Sequence, residues 1–113
     1  MKYARKPVGF TRMSRNNMEF LIRRTDGEWF SLHKDHFQEV LKPKHPRTEP
    51  CRGNGDHCIE FPDAQVVFAF EDSGLHVIFE KYEGTREEAI RIVKEILENL
   101  TAFSGEKGEI VEL

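Results

Sequence analysis

A chain of 113 residues can bury a single core. Its apolar fraction of 38% and charged fraction of 33% describe a heavily ionised surface around a modest interior, much of it supplied by nine Phe and one Trp. No run approaches membrane-spanning length, no apolar segment follows the basic start "MKYARKPVGF", and there are only two cysteines, so a soluble cytoplasmic domain with no membrane contact is expected.

The chain opens on a basic arm, about residues 1–12. Residues 18–34 then read as a β-hairpin. "MEFLIRR" and "EWFSLHK" are rich in aromatic and branched residues, and Asp26-Gly27 between them suits the positive φ of a tight hairpin turn. Met18, Phe20 and Ile22 fall on one side, with Phe30 and Leu32 as the matching set. A short helix follows, with Asp35 placed to cap it and Pro43 to end it. Residues 43–57, "PKHPRTEPCRGNGDH", hold three prolines and two glycines without apolar periodicity, and read as a long mobile loop.

"AQVVFAFE" and "LHVIFEKY" read as a second hairpin turning at Asp72-Ser73-Gly74, with "CIEF" as a short strand beside it. Val66, Phe68 and Phe70 share a face with Leu75, Val77 and Phe79. The opposite face carries Val67, Ala69 and Ile78, and strands apolar on both faces belong in the middle of a sheet. From Thr85 to about Phe103 the pattern is helical. Thr85 and Glu88 form a capping box, and Ala89, Val93, Ile96, Leu100 and Phe103 recur at helical spacing. Gly105 and Gly108 bracket the exit, and "EIVEL" reads as a last strand. The expected fold is α+β: a mainly antiparallel sheet of two hairpins plus a C-terminal strand, with one long and one short helix.

The motif "CRGNGDHC" raises the question of chemistry. Cys51, Cys58, His57 and His45 offer four soft ligands within fourteen residues, but no close cysteine pair is present and adjacent His57 and Cys58 make an awkward chelate. A disulfide is geometrically allowed by the glycines, yet a reducing compartment opposes it. The expectation is a connector without metal or obligatory disulfide. In "HKDH", His33 and His36 lack an identifiable third ligand or nucleophile, and His76 reads as a half-buried strand residue. No G-x-S-x-G, Walker A, G-x-G-x-x-G or H-E-x-x-H motif occurs, so neither catalysis nor a cofactor is expected.

Charge points to a partner instead. Residues 1–52 carry 12 Lys+Arg against 6 Asp+Glu, and residues 53–113 carry 5 against 14, which splits the net −3 into +6 and −9. The two halves can attract each other within one fold, or either can serve a partner. Glu71, Asp72, Glu80, Glu83, Glu95 and Glu98 form an acidic inventory for a basic protein. Arg12, Arg15, Arg23 and Arg24, interleaved with aromatics, are the alternative for nucleic acid.

The segment "EDSGLHVIFEKYEGTREEAIRIVKEILENL", residues 71–100, resembles the strand–turn–strand–helix ending of small bacterial immunity proteins that neutralise polymorphic or contact-dependent toxins. The resemblance implies a small cytoplasmic α+β protein without catalysis that binds a toxin domain. The leading expectation is therefore a non-catalytic protein-binding module of inhibitor or immunity type, neutralising a basic partner.

Overall fold

Successive side chains of a strand point to opposite faces, so a strand can bury one row against the core and leave the other row outside it. The structure is a computed structural model that describes residues 17–45, 47–51, 55–61, 64–71 and 74–113. The basic arm, Arg12 and Arg15 among the basic candidates, and Asp72 lie outside these residues. The strands are β1 (Met18–Arg24), β2 (Glu49–Pro50), β3 (His57–Phe61), β4 (Ala64–Glu71), β5 (Gly74–Glu80) and β6 (Gly108–Glu112). They form one sheet in the order β2-β3-β4-β5-β1-β6, antiparallel throughout. The α+β architecture is the one the sequence pattern implies. No described helix is long and apolar enough to cross a membrane.

The helices are α1 (Phe37–Val40), preceded by a 3-10 turn at Lys34–His36, and α2 (Arg86–Ser104). Both lie on the same side of the sheet, since their buried side chains join one core with Phe20, Ile22, Val66, Phe68, Leu75, Val77 and Phe79. The α2 start is the capping box: the Thr85 hydroxyl accepts from the Glu88 N–H at 3.1 Å. Its end is a left-handed Gly105, φ 78°, whose N–H donates to the Thr101 carbonyl. Val93, Ile96 and Leu100 are completely buried between these ends. Phe103 departs from the stripe: it is 44% exposed and lies against the His36 ring, 4.7 Å between centroids. The short helix also starts differently from expectation. His33, not Asp35, caps the 3-10 turn before it, its Nδ1 accepting from the Asp35 N–H, and α1 itself starts at His36 without a side-chain cap.

The first hairpin does not form. The turn itself is present, with Gly27 at φ 81°, its N–H donating to the Arg24 carbonyl, and Asp26 Oδ1 accepting from the Glu28 N–H. Beyond it the chain leaves the sheet, because both edges of β1 are already bonded, to β5 and to β6. Phe30 still reaches the core, and Leu32 packs against it, but from an irregular segment. Glu106 anchors that segment: it accepts from the Ser31 N–H (2.8 Å), the Ser31 hydroxyl (2.7 Å) and Arg24 Nη1 (3.1 Å). The consecutive strands that pair antiparallel are instead β2–β3, β3–β4 and β4–β5.

The loop expectation also needs correction. Glu49 and Pro50 pair with Glu60 and Ile59, which carries Cys51 opposite Cys58, and the Cys51 N–H donates to the Cys58 carbonyl at 3.1 Å. With Cα atoms 5.2 Å apart the two sulfurs are joined in a disulfide. The register, invisible in a stretch without periodicity, brings them together. The segment before it is held too, by Glu95 accepting from the Lys44 N–H (2.6 Å) and Arg91 donating to the His45 carbonyl (2.8 Å).

Two stability measurements follow from this packing. Ile96→Ala removes a side chain with no exposed surface and should cost about 2–5 kcal/mol in urea unfolding; an unchanged midpoint would contradict the placement of α2. Reducing the Cys51–Cys58 bond releases a short loop and should lower stability by about 2–3 kcal/mol. Thiol titration of denatured, unreduced protein should find no free cysteine.

Candidate functional site

Strand alternation that sends one set of side chains to the helices sends the other set to the opposite face, which no described helix covers. The ladder registers define its rows. Cys58, Val67, Ile78 and Glu19 lie side by side, then Ala69, His76, Leu21 and Val111. The centre is apolar: Val67 is buried beneath the approach of Gly55, while Leu21, Ala69, Ile78 and Val111 are half-buried. Around it, among the described residues, stand Glu19, Glu49, Glu60, Glu71, Glu80 and Glu109, against Arg23 and Arg47. Arg23 is paired with Glu109 at 2.7 Å and Arg47 with Glu49 at 3.6 Å. The remaining carboxylates give the face a negative field.

His76 sits in the middle of this field, its side chain only 16% exposed. Its Nε2 lies 2.8 Å from Glu19 Oε1 and its Nδ1 lies 3.1 Å from Glu71 Oε2. The ring therefore stands between the two carboxylates and links the β1 and β4 sides of the face.

The acidic residues picked out by composition do not form one surface. Glu71 and Glu80 lie on the open sheet face, whereas Glu83 lies in the β5–α2 connection and Glu95 and Glu98 lie on α2, across the sheet. Glu95 is engaged by the Lys44 N–H and Arg91. It and Glu98 line a surface groove of about 310 Å³ with Lys44, Arg91, Lys94 and Asn99, a mixed-charge site. Glu19, Glu60 and Glu109 escaped the sequence reading. Their signal was the polar half of each strand's alternation, which becomes a surface only once the strand order is known.

The two basic candidates among the described residues, Arg23 and Arg24, are engaged within the fold. Arg23 serves Glu109. Arg24, its side chain 19% exposed, donates to Asp26, to Glu106 and to the Trp29 carbonyl. Hydrogen bonds from Ser31 hold the Glu106 carboxyl below the usual range, with Arg24 adding to the effect. These arginines staple the turn after β1 to the exit of α2.

The four soft ligands do not converge. Cys51 and Cys58 share a disulfide, which removes both thiolate donors. His57 and Cys58, consecutive in β3, point to opposite faces, and His57 packs among Phe37 and Phe68 with ring centroids 5.8 and 5.9 Å away. His33 serves as a cap and faces Asp35, and His36 pairs with Glu39 at 2.8 Å. Among the described residues, no group of three or more His, Cys, Asp or Glu could hold a metal ion. Comparison with protein families, with curated proteins and with solved structures gives no match.

His57 has a measurable consequence. Its Nε2 is buried with no hydrogen-bond partner among the described residues, and desolvation pulls its pKa below the ordinary 6.5. Above that value both folded and unfolded chains hold it neutral. As pH falls below it, the unfolded chain takes up the proton first, so stability declines until pH passes the lower, folded value. The decline from His57 should vanish in His57→Phe, which fits the surrounding rings. Unfolding curves between pH 7 and 5, taken as about the window of histidine titration, check this; identical pH slopes for the two proteins would refute it.

Proposed function

We propose that this protein is a non-catalytic binding module of inhibitor or immunity type, which neutralises a basic partner protein held against the open sheet face. The observation that carries the reading is that face: an apolar centre ringed by carboxylates, of which Glu60 and Glu80 have no ion-pair partner among the described residues. Apolar surface supplies affinity, and the charged rim supplies orientation and speed of encounter. Four of the histidines support a non-catalytic role, being occupied as a cap, a packing ring and carboxylate partners.

The immunity resemblance of residues 71–100 agrees with this reading, since that segment contributes β5 and its row of open-face residues. We place the encounter in the cytoplasm. The Cys51–Cys58 bond is a lasting staple only in oxidising surroundings, and the reading does not depend on it, because the face is built mainly from β1, β4 and β5.

The reading predicts a gene for a basic toxin domain beside this one, and that domain is the partner to test. Glu19→Lys with Glu71→Lys should weaken its binding at least about tenfold and flatten the salt dependence, as expected for removal of complementary charges. Glu95→Lys with Glu98→Lys, on the helix side, should leave binding unchanged. Isothermal titration at two salt concentrations reads both. Equal effects of the two pairs would sink the assignment of the face, and absence of any stable protein partner would sink the function.

A further inference from the structure

The two edges of the sheet are built differently. At one edge, β2 has two residues, one a proline, and is tied down by the disulfide beside it, all devices that blunt an edge. At the other, β6 runs from Gly108 to Glu112 without proline or break in its register against β1.

The direction of its free backbone groups follows from that register. Leu113 N–H donates to the Glu19 carbonyl and Thr25 N–H donates to the Lys107 carbonyl. Hydrogen-bonded pairs therefore fall on odd residues of β6, by the alternation of an antiparallel ladder. Gly108, Ile110 and Glu112 point their N–H and C=O groups away from β1, where no described strand stands. The edge thus offers three donors and three acceptors in a row.

We propose that β6 pairs with β6 of a second copy of this chain, antiparallel about a two-fold axis at Ile110, joining the sheets into one of twelve strands. The strand is complementary to itself in that register. Ile110 meets its counterpart, and Gly108 meets Glu112, so all outward groups find each other. Glu109 meets Val111, so no two carboxylates stand opposed. Both acidic residues of β6 are neutralised at home, Glu109 by Arg23 and Glu112 by Arg86, which leaves the edge without the unpaired charge that normally guards one. A single strand pair buries less than the roughly 1,600 Å² of a standard interface, so the dimer is reversible.

Sedimentation over a concentration series should show a monomer–dimer equilibrium. Ile110→Pro deletes an outward N–H and spares the ladder to β1, and it should abolish the dimer while the far-ultraviolet spectrum is retained. Glu112→Pro acts by the same principle should Ile110→Pro fail to fold. Hydrogen exchange on the wild type gives an independent reading: Ile110 and Glu112 amides should gain protection with concentration, whereas Val111 and Leu113 are protected throughout. A monomer at every concentration overturns the proposal and leaves the edge to an extended segment of another protein. Protection of Ile110 and Glu112 that does not vary with concentration also overturns it, by assigning the edge to the chain's own residues. A dimer unaffected by either proline does the same.

Discussion

Strand β1 is hydrogen-bonded along both sides, to β5 on one and to β6 on the other, and the rest of the molecule is arranged around that double pairing. Phe20 and Ile22 lose all solvent contact in the process, packing beneath α2 with the inner rows of β4 and β5. With both its edges used, β1 cannot take the following segment as a hairpin partner. That segment is instead pinned by Glu106 and Arg24 at the exit of α2. The pairing also decides which strand is left at the sheet boundary and which side chains share the uncovered face.

Part of the charge asymmetry between the two halves of the chain is met inside the fold. Arg23 meets Glu109 and Arg24 meets Glu106, each joining the basic first half to the acidic second. These contacts are at the surface or only partly buried, so each contributes little stability by itself. Their effect is to fix positions. What remains after this internal pairing is an excess of carboxylate on the sheet face opposite the helices, a distribution that no count along the chain discloses.

Legibility followed the range of the interactions. The long helix was readable end to end because its signals are local: a capping box at Thr85 and Glu88, an apolar stripe, and Gly105 to stop it. The β4–β5 face was readable because alternation alone sorts Val66, Phe68, Leu75 and Val77 from Val67 and Ile78. The failures are long-range. Asp26-Gly27 makes its turn, but whether a second strand follows depends on residues at the far end of the chain competing for the same edge. The disulfide depended on a two-residue strand too short to show any period. His33 displaced Asp35 as a cap through an imidazole nitrogen, a group outside the usual capping set. The candidate face was half legible: Glu71 and Glu80 belonged to it, whereas Glu95 and Glu98 were chosen by charge without knowledge of which layer carried them.

Placing the first strand between two of the last has a cost during synthesis. A chain emerging from its N-terminus presents Phe20, Leu21 and Ile22 to the surroundings well before either partner strand exists. Core closure at β1 waits for β5, and the boundary beyond it waits for the final residues. Such sequence-distant contacts slow folding and prolong exposure of unpaired strand edges. A nascent or prematurely ended chain that stops after α2 lacks β6, so β1 keeps one edge open and the turn loses its Glu106 anchor. Arrival of β6 is thus the event that fills the second edge of β1 and supplies the anchor for the turn behind it.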